Sequence, residues 1–360
     1  MLSHEYNKMQ LSVVIPAYQA ESTIRETLES LLKTPSKDFE VIVVNDGSTD
    51  RTGEILLDIS ANDSRVNIIT QKNMGRSAAR NAGLQAASGQ WIMFLDADDC
   101  FLPNWKAGID QVLSNNTADL AVFGYLKDGE LPSKLKYDEL SQIDSVAIPA
   151  KSVLDKCLHK DTNLKLPFQN LFEWNAVWGR LYSSKVINIL KKCIGSSLFP
   201  VGVKFSEDYY FNILYLNAIA SKGEVEFVYS PLYQWNLSVS QTVSVNDVND
   251  PDSLLPYETA VNSCTMFDEN EKHAMMAKEI AQQFRRSATL DVKYLPQAAR
   301  VWHRVVKSLS ISQFTTSVPE YWGTNKWVYY LPALFWKHAH YQVALFFIHY
   351  IDKACKILFE

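Results

Sequence analysis

No two of the thirteen glycines are spaced G-x-G, and no Gly-Lys-Ser/Thr triplet occurs. A dinucleotide fingerprint and a P-loop are therefore both missing, which excludes nicotinamide-dependent enzymes and P-loop ATPases. Cysteine is equally uninformative. Cys100, Cys157, Cys193, Cys264 and Cys355 are odd in number, far apart and never C-x-x-C, so neither a disulfide framework nor a zinc cage is expected and a reducing cytoplasm is the natural compartment. The opening MLSHEYNKMQ is polar and leads straight into a strand-like run, with none of the features of a secretory leader. Long apolar runs are missing as well. The longest uncharged aromatic-apolar stretch, His338 to Ile351, contains three histidines and falls short of the roughly 20 apolar residues of a membrane span.

Excess positive charge is lacking overall, since the 360 residues carry a formal net charge of −5, but the balance is uneven. Residues 285–356 hold ten Lys/Arg against three Asp/Glu, a local +7, and residues 1–284 stand at −11. The basic tail is rich in aromatics yet has no zinc-finger spacing, RNP pattern or Arg cluster, so nucleic acid is not an expected partner. With 47% apolar and 21% charged residues, the chain has the composition of a folded protein, and its length predicts two or three domain-sized units.

Strand-like runs at Leu11 to Pro16 and Phe39 to Val44 flank a helical stretch, Glu21 to Lys33, with apolar Ile24, Leu28, Leu31 and Leu32 at helical spacing and Ser22 or Glu21 near the cap. The alternation continues through a helix at Thr52 to Ser60, a strand at Val66 to Thr70, a helix at Arg76 to Ala87 and a strand at Trp91 to Leu95. It predicts an α/β fold, a mostly parallel sheet covered by helices on both faces. Beyond Asp99 the pattern loosens into a helix at Trp105 to Ser114, a strand at Leu120 to Tyr125 and a polar loop at Lys127 to Ser145. Asn246 to Ser253 reads NDVNDPDS, an exposed linker by composition. We therefore expect one domain over 1–245, with halves 1–105 and 106–245, and a mainly helical region over 246–360.

Parallel sheets bind ligands at the carboxyl ends of their strands. Three such ends are evident: Pro16-Ala17-Tyr18-Gln19, Asn45 to Asp50, and Asp96-Ala97-Asp98-Asp99. The last sets three carboxylates in four residues after the strand WIMFL. Their repulsion is relieved either by solvent, as an acidic turn, or by a hard divalent cation bridging to phosphate oxygens.

The ordered set SVVIPAYQAESTIRETLESLL, VIVVNDGSTDRT, NMGRSAARNAGLQAASGQWIMFLDADD and FSEDYYFN resembles family 2 glycosyltransferases of the bacterial surface-polysaccharide type, with a Rossmann-like GT-A fold. The first three motifs cover roughly residues 11–105 densely. Val177 to Tyr182 is similar to a Trp-x-Lys-Leu segment of that family, with Arg180 where Lys is usual. The resemblance implies an inverting, metal-dependent transfer of a hexose or N-acetylhexosamine from a nucleotide sugar to a hydroxyl of a surface glycan or lipid-linked oligosaccharide.

Carried over residue by residue, the resemblance sets Pro16, Ala17 and Tyr18 beside the nucleotide and Asp46 on the base, which favours uridine. Arg76 becomes a nucleotide contact. Arg80 is left between a ligand role and bracing of the sheet edge. Asp96-x-Asp98 becomes the DxD motif, Asp98 the direct ligand of Mn²⁺ or Mg²⁺, Asp96 reaching ribose or metal, and Asp99 a supporting partner near the sugar. Asp208 becomes the general base and Glu207 its acceptor-side support, although two acids also suit a helix N-terminus on dipole grounds alone. Trp174, Asn175, Trp178 and Arg180 are candidates to line the sugar or acceptor cleft, with core packing the alternative for the tryptophans. No histidine has metal-ligand spacing.

From Tyr321 to Tyr350 aromatics interleave with Lys326 and Lys337 and lead to Lys353 and Lys356, a pattern suited to peripheral contact with the inner face of the cytoplasmic membrane or to packing against protein, including a second copy. Two other readings remain at this level: a catalytically silent glycan-binding or scaffold subunit, and a nucleotidyltransferase, for which VIPAYQAEST supplies no Gly-rich basic loop.

Overall fold

The computed structural model describes residues 10–103, 105–115, 118–127, 145–158, 164, 166, 172–236, 254–288, 295–308, 334–336, 338 and 340–359. The expected linker Asn246 to Ser253 and residues 128–144 of the expected polar loop lie outside them. The chain divides into two units, residues 1–202 with 207–240, and residues 203–206 with 241–360.

In the first unit, β1 (Leu11–Ala17), β2 (Phe39–Asn45), β3 (Val66–Thr70) and β4 (Trp91–Phe94) form a parallel block in the order β3-β2-β1-β4. Registers such as Ala17↔Asn45, Asn45↔Thr70 and Val14↔Phe94 bring their carboxyl ends to one edge. The apolar β1 and β2 are buried on both faces, as a covered parallel sheet requires. Helices α1 (Ile24–Leu32), α2 (Thr52–Asn62) and α3 (Arg76–Ala86) are the crossovers, and α1 buries Ile24, Leu28 and Leu31 as its spacing predicts. It begins after Thr23, later than the sequence suggests, because Glu21 is used in a loop: its carboxylate accepts the Arg51 N–H at 3.0 Å.

The second half of the sheet is mixed. It adds β5 (Cys100–Phe101), β6 (Leu120–Lys127), β7 (Ser145–Pro149), β8 (Arg180–Ser183) and β9 (Glu224–Trp235) in the order β4-β8-β6-β9-β5, with β7 also on β9. Strand β8 runs antiparallel to both β4 and β6, while β6 and β9 are parallel. Helices α4 (Trp105–Asn115), α5 (Ala150–Cys157), α6 (Ser184–Ile194) and α7 (Glu207–Ile219) complete this unit.

Helix α3 packs close to β1. A Cβ on Gly83 would sit 2.3 Å from Val14 Cγ1, a buried branched side chain. Gly83→Ala is therefore expected to lower stability by about 1–3 kcal/mol through overpacking, read as a reduced midpoint in thermal or urea unfolding.

The second unit contains α8 (Leu254–Ser263), α9 (Glu269–Ala288), α10 (Leu295–Ser308) and α11 (Tyr341–Phe359). Its core joins Phe284, Trp302, Trp336 and Tyr341, with the Trp336 ring 4.4 Å from Phe284 and 4.9 Å from Tyr341. Trp302 Nε1 donates to Ser287 Oγ at 2.9 Å. This corrects part of the membrane expectation, because Trp336 and Tyr341 are interior residues. Phe346 and Tyr350 are exposed, whereas Tyr321, Trp322, Trp327, Tyr329 and Tyr330 lie outside the described residues. Among the described residues no helix is long and apolar enough to cross a membrane.

Candidate active site

The loops after β1 and β2 are tied together before any ligand is considered. Gln19, at φ 51°, turns its side-chain oxygen to the N–H groups of Thr49 (2.7 Å) and Asp50 (3.3 Å), and Ala20 N–H donates to Thr52 Oγ1 at 2.8 Å. Asp46 is buried at the end of β2. Its carboxylate accepts Gln71 Nε2 at 2.7 Å, Met74 N–H at 3.0 Å and Gly75 N–H at 2.8 Å. Gly47 is needed beside it, since its φ is +74° and a Cβ there would stand 2.7 Å from the Asn73 nitrogen. Asp46, expected on the base, thus fastens the segment that enters α3, and Gln71 is a partner the sequence did not suggest. Pro16 and Ala17 close β1, and Tyr18 beyond them is exposed.

The turn Asp96 to Asp99 follows β4 and is held from two sides. Thr27 Oγ1 donates to the Ala97 carbonyl at 2.9 Å, and Asn236 Nδ2 donates to the Asp98 carbonyl at 2.8 Å. Asp99 is only 2% exposed. It accepts Tyr233 Oη–H at 2.5 Å and Asn236 N–H at 2.8 Å. Burial, followed by the Asp96 carboxylate, pushes Asp99 up to about 7. Asp99, expected as a supporting partner near the sugar, is buried, and its hydrogen bonds join this turn to the end of β9. Tyr233 and Asn236 belong to the site's framework and carry no sequence signal, lying more than a hundred residues from the acids they hold.

Helix α3 carries Arg76 and Arg80 four residues apart, hence on one face. Arg80 is fully buried. Its Nη1 donates to Asp208 Oδ1 at 2.5 Å and Glu207 Oε1 at 3.3 Å, and its Nη2 to Asp96 Oδ1 at 2.9 Å. The open choice for Arg80 is thereby decided in favour of bracing. Arg76, half-exposed, places Nη2 2.5 Å from Glu207 Oε1. Glu207 above all holds Arg76 above its ordinary value. For Arg80, burial opposes the charged form, but Asp208 and Asp96 outweigh it and raise its pKa. Asp208 is itself raised: burial disfavours its carboxylate, Arg80 counteracts this, and Glu207 adds to the rise. Ser206, just before this pair, has φ 62°, uncommon for a residue other than glycine.

Two expected cleft residues are placed inside. Trp178 stacks on Tyr233 with centroids 4.4 Å apart, and also meets Tyr125 edge-on. Arg180 is buried and its Nη2 donates to the carbonyls of Glu173 (2.8 Å) and Trp174 (2.9 Å). The cleft-lining expectation for Trp178 and Arg180 is corrected on this ground, since both side chains are buried and Trp178 packs in the core. Trp174 packs near Phe227, 5.6 Å between centroids, and the Asn175 carbonyl accepts from Asn212 Nδ2 at 2.8 Å.

Among the described residues no group of three or more His, Cys, Asp or Glu side chains is arranged as a metal cage. The donor set still fits a hard cation. Asp96 and Asp98 are oxygen donors, both partly exposed, and Mg²⁺ is commonly held by one or two carboxylates together with substrate phosphates. Arg76 and Arg80 leave an acidic excess against Asp96, Asp98, Glu207 and Asp208.

Comparison with known proteins bears on the family and the fold. Residues 12–182 match the family model described as Glycosyl transferase family 2. Glycosyltransferase GlyA of Streptococcus pneumoniae is 30% identical over 225 residues, 58% of this chain and 29% of that protein. The uncharacterized glycosyltransferase EpsJ of Bacillus subtilis is 30% identical over 254 residues, 70% of this chain and 65% of that protein. The chain thus spans less than two thirds of either relative. S. aureus TarS 1-349 in complex with UDP shares the fold, with a TM-score of 0.59 at 16% identity, covering 97% of this chain and 91% of that one. TarS 1-349 with UDP-GlcNAc gives the same TM-score and identity, over 94% and 90%.

Proposed function

Because residues 12–182 belong to glycosyl transferase family 2, we propose that this protein is an inverting transferase. It moves a hexose or N-acetylhexosamine from a nucleotide sugar, UDP-linked, to a hydroxyl of a surface glycan or lipid-linked oligosaccharide. One observation carries the reading. A carboxylate that can serve as base, Asp208, and a carboxylate of the strand-end turn, Asp96, hydrogen-bond to the same guanidinium, that of Arg80. A base and a diphosphate site within the span of one side chain suit a single displacement between acceptor and donor.

In this reading Pro16, Ala17 and Tyr18 line the nucleoside, the Asp46 carboxylate accepts from the base, and Arg76 meets the donor phosphates with its exposed face. Asp98, with Asp96, holds Mn²⁺ or Mg²⁺, which when bound neutralises charge developing on the departing diphosphate. Asp208 takes the proton of the acceptor hydroxyl onto a carboxylate oxygen. The acceptor oxygen forms its bond to the anomeric carbon from the face opposite the diphosphate. The bond from that carbon to the phosphate oxygen breaks, its electron pair leaves with the nucleoside diphosphate, and the configuration inverts. Glu207, paired with Arg76, supports the acceptor side. The UDP and UDP-GlcNAc in the TarS structures support a uridine nucleotide.

The experiment is turnover of UDP-, GDP- and dTDP-sugars with Mn²⁺, scored by nucleoside diphosphate release, with EDTA as control. EDTA-sensitive release from a UDP-sugar is the expected result. Silence across the panel and across glycan acceptors, together with tight UDP binding, would favour the scaffold reading instead.

A further inference from the structure

We propose that Arg80 is the positioning residue of the reaction, setting the Asp208 carboxylate at a fixed place relative to the donor-side turn. The proposal rests on the transferase reading above. Arg80 is 0% exposed, so it acts through its partners and not by touching donor or acceptor. Both of its terminal nitrogens are committed, Nη1 to Asp208 and Glu207 from α7 and Nη2 to Asp96 after β4. Among the described residues its Nε has no hydrogen-bond partner, so its hydrogen bonds to these acids all lie at the forked end.

A planar guanidinium fixes the angle and spacing between what its two arms hold, which a single ammonium on a flexible stem does not. The base and the donor turn come from residues 112 apart in sequence, and this fork is their common partner. The fork is itself held. The neighbouring Asn81 donates Nδ2 to the Phe199 carbonyl at 2.7 Å and accepts the Phe199 N–H at 2.9 Å, while the Phe199 ring lies 5.5 Å from the Arg80 guanidinium carbon. With Gly83 set hard against Val14, α3 has little room to slide, as a support for a reacting group requires.

Charge compensation alone would ask only for a cation at this place; positioning asks for the fork. Full-length Arg80→Lys keeps the cation and separates the two. A cooperative thermal transition and a donor KM within about fivefold of wild type are expected, with kcat lower by about 100-fold, the size of effect that an ångström of misplacement produces. A Lys variant with wild-type kcat overturns the positioning role. If Arg80→Lys gives no cooperative transition, Asp208→Glu decides. It keeps the charge that Arg80 meets and displaces the carboxylate by one methylene, so kcat is expected to fall about 100-fold with UDP affinity unchanged, and wild-type turnover overturns the proposal. A wild-type chain that releases nucleoside diphosphate from no donor overturns the transferase reading and this role with it. Turnover by wild type and Arg80→Lys alike overturns this role only.

Discussion

Asp208→Asn is expected to cut sugar transfer by about 10²- to 10⁴-fold, the usual weight of a general base, while UDP binding measured by calorimetry stays near wild type. The amide keeps the shape and can still accept from Arg80, but it cannot take a proton from the acceptor. The pH profile carries a second signature. Burial and Glu207 raise Asp208 above the ordinary carboxylate range despite Arg80, and the base works only when ionised. The acid limb of kcat/KM in the wild-type protein should therefore lie at higher pH than an unperturbed aspartate, near 3.9, would give. Stability follows the same proton. A carboxyl with a raised folded pKa contributes fully below the unfolded value, and its contribution declines as pH rises through the folded one. Asp208→Asn should flatten that decline in melts taken across pH. Wild-type turnover in the Asn variant would remove Asp208 from the base role.

Asp98→Ala is expected to act on the other substrate. Asp98 is partly exposed, and its backbone carbonyl is anchored by Asn236, so losing the carboxylate should leave the turn in place and remove one hard oxygen donor. Affinity for UDP in the presence of Mn²⁺ should drop at least about tenfold, on the scale seen when metal-site residues are altered. The difference between binding in Mn²⁺ and in EDTA should shrink with it. A variant that keeps the full Mn²⁺-dependent increment would show that Asp98 is not the ligand.

The parallel block was legible because its signals are local. Val66–Thr70 forms the strand its residues predict, and Leu11–Ala17, Phe39–Asn45 and Arg76–Ala86 depart from expectation by a residue or so. Short β-branched runs and helix spacing suffice where neighbours in sequence are neighbours in space. The strand Glu224–Trp235 was not foreseen. It contains Glu224, Glu226, Ser230 and Pro231, and Pro231 stands opposite Gly124 where the register with β6 shifts. Its strand character comes from partners about a hundred residues away. The candidate site divides in the same way. The acids Asp96, Asp98, Glu207 and Asp208 stand out by type and motif, whereas the burial of Asp99, Trp178 and Arg180 depends on Tyr233, Asn236 and the carbonyls of residues 173–174, which no local pattern announces.

The Asp46 fastening bears on affinity. Residues 71–75 are held by Gln71, Met74 and Gly75 on one carboxylate, so the conformational entropy of the loop leading to Arg76 has already been lost when the chain folds. A nucleotide bound as proposed would meet a surface with little left to immobilise there, and more of each contact it made would appear as binding free energy.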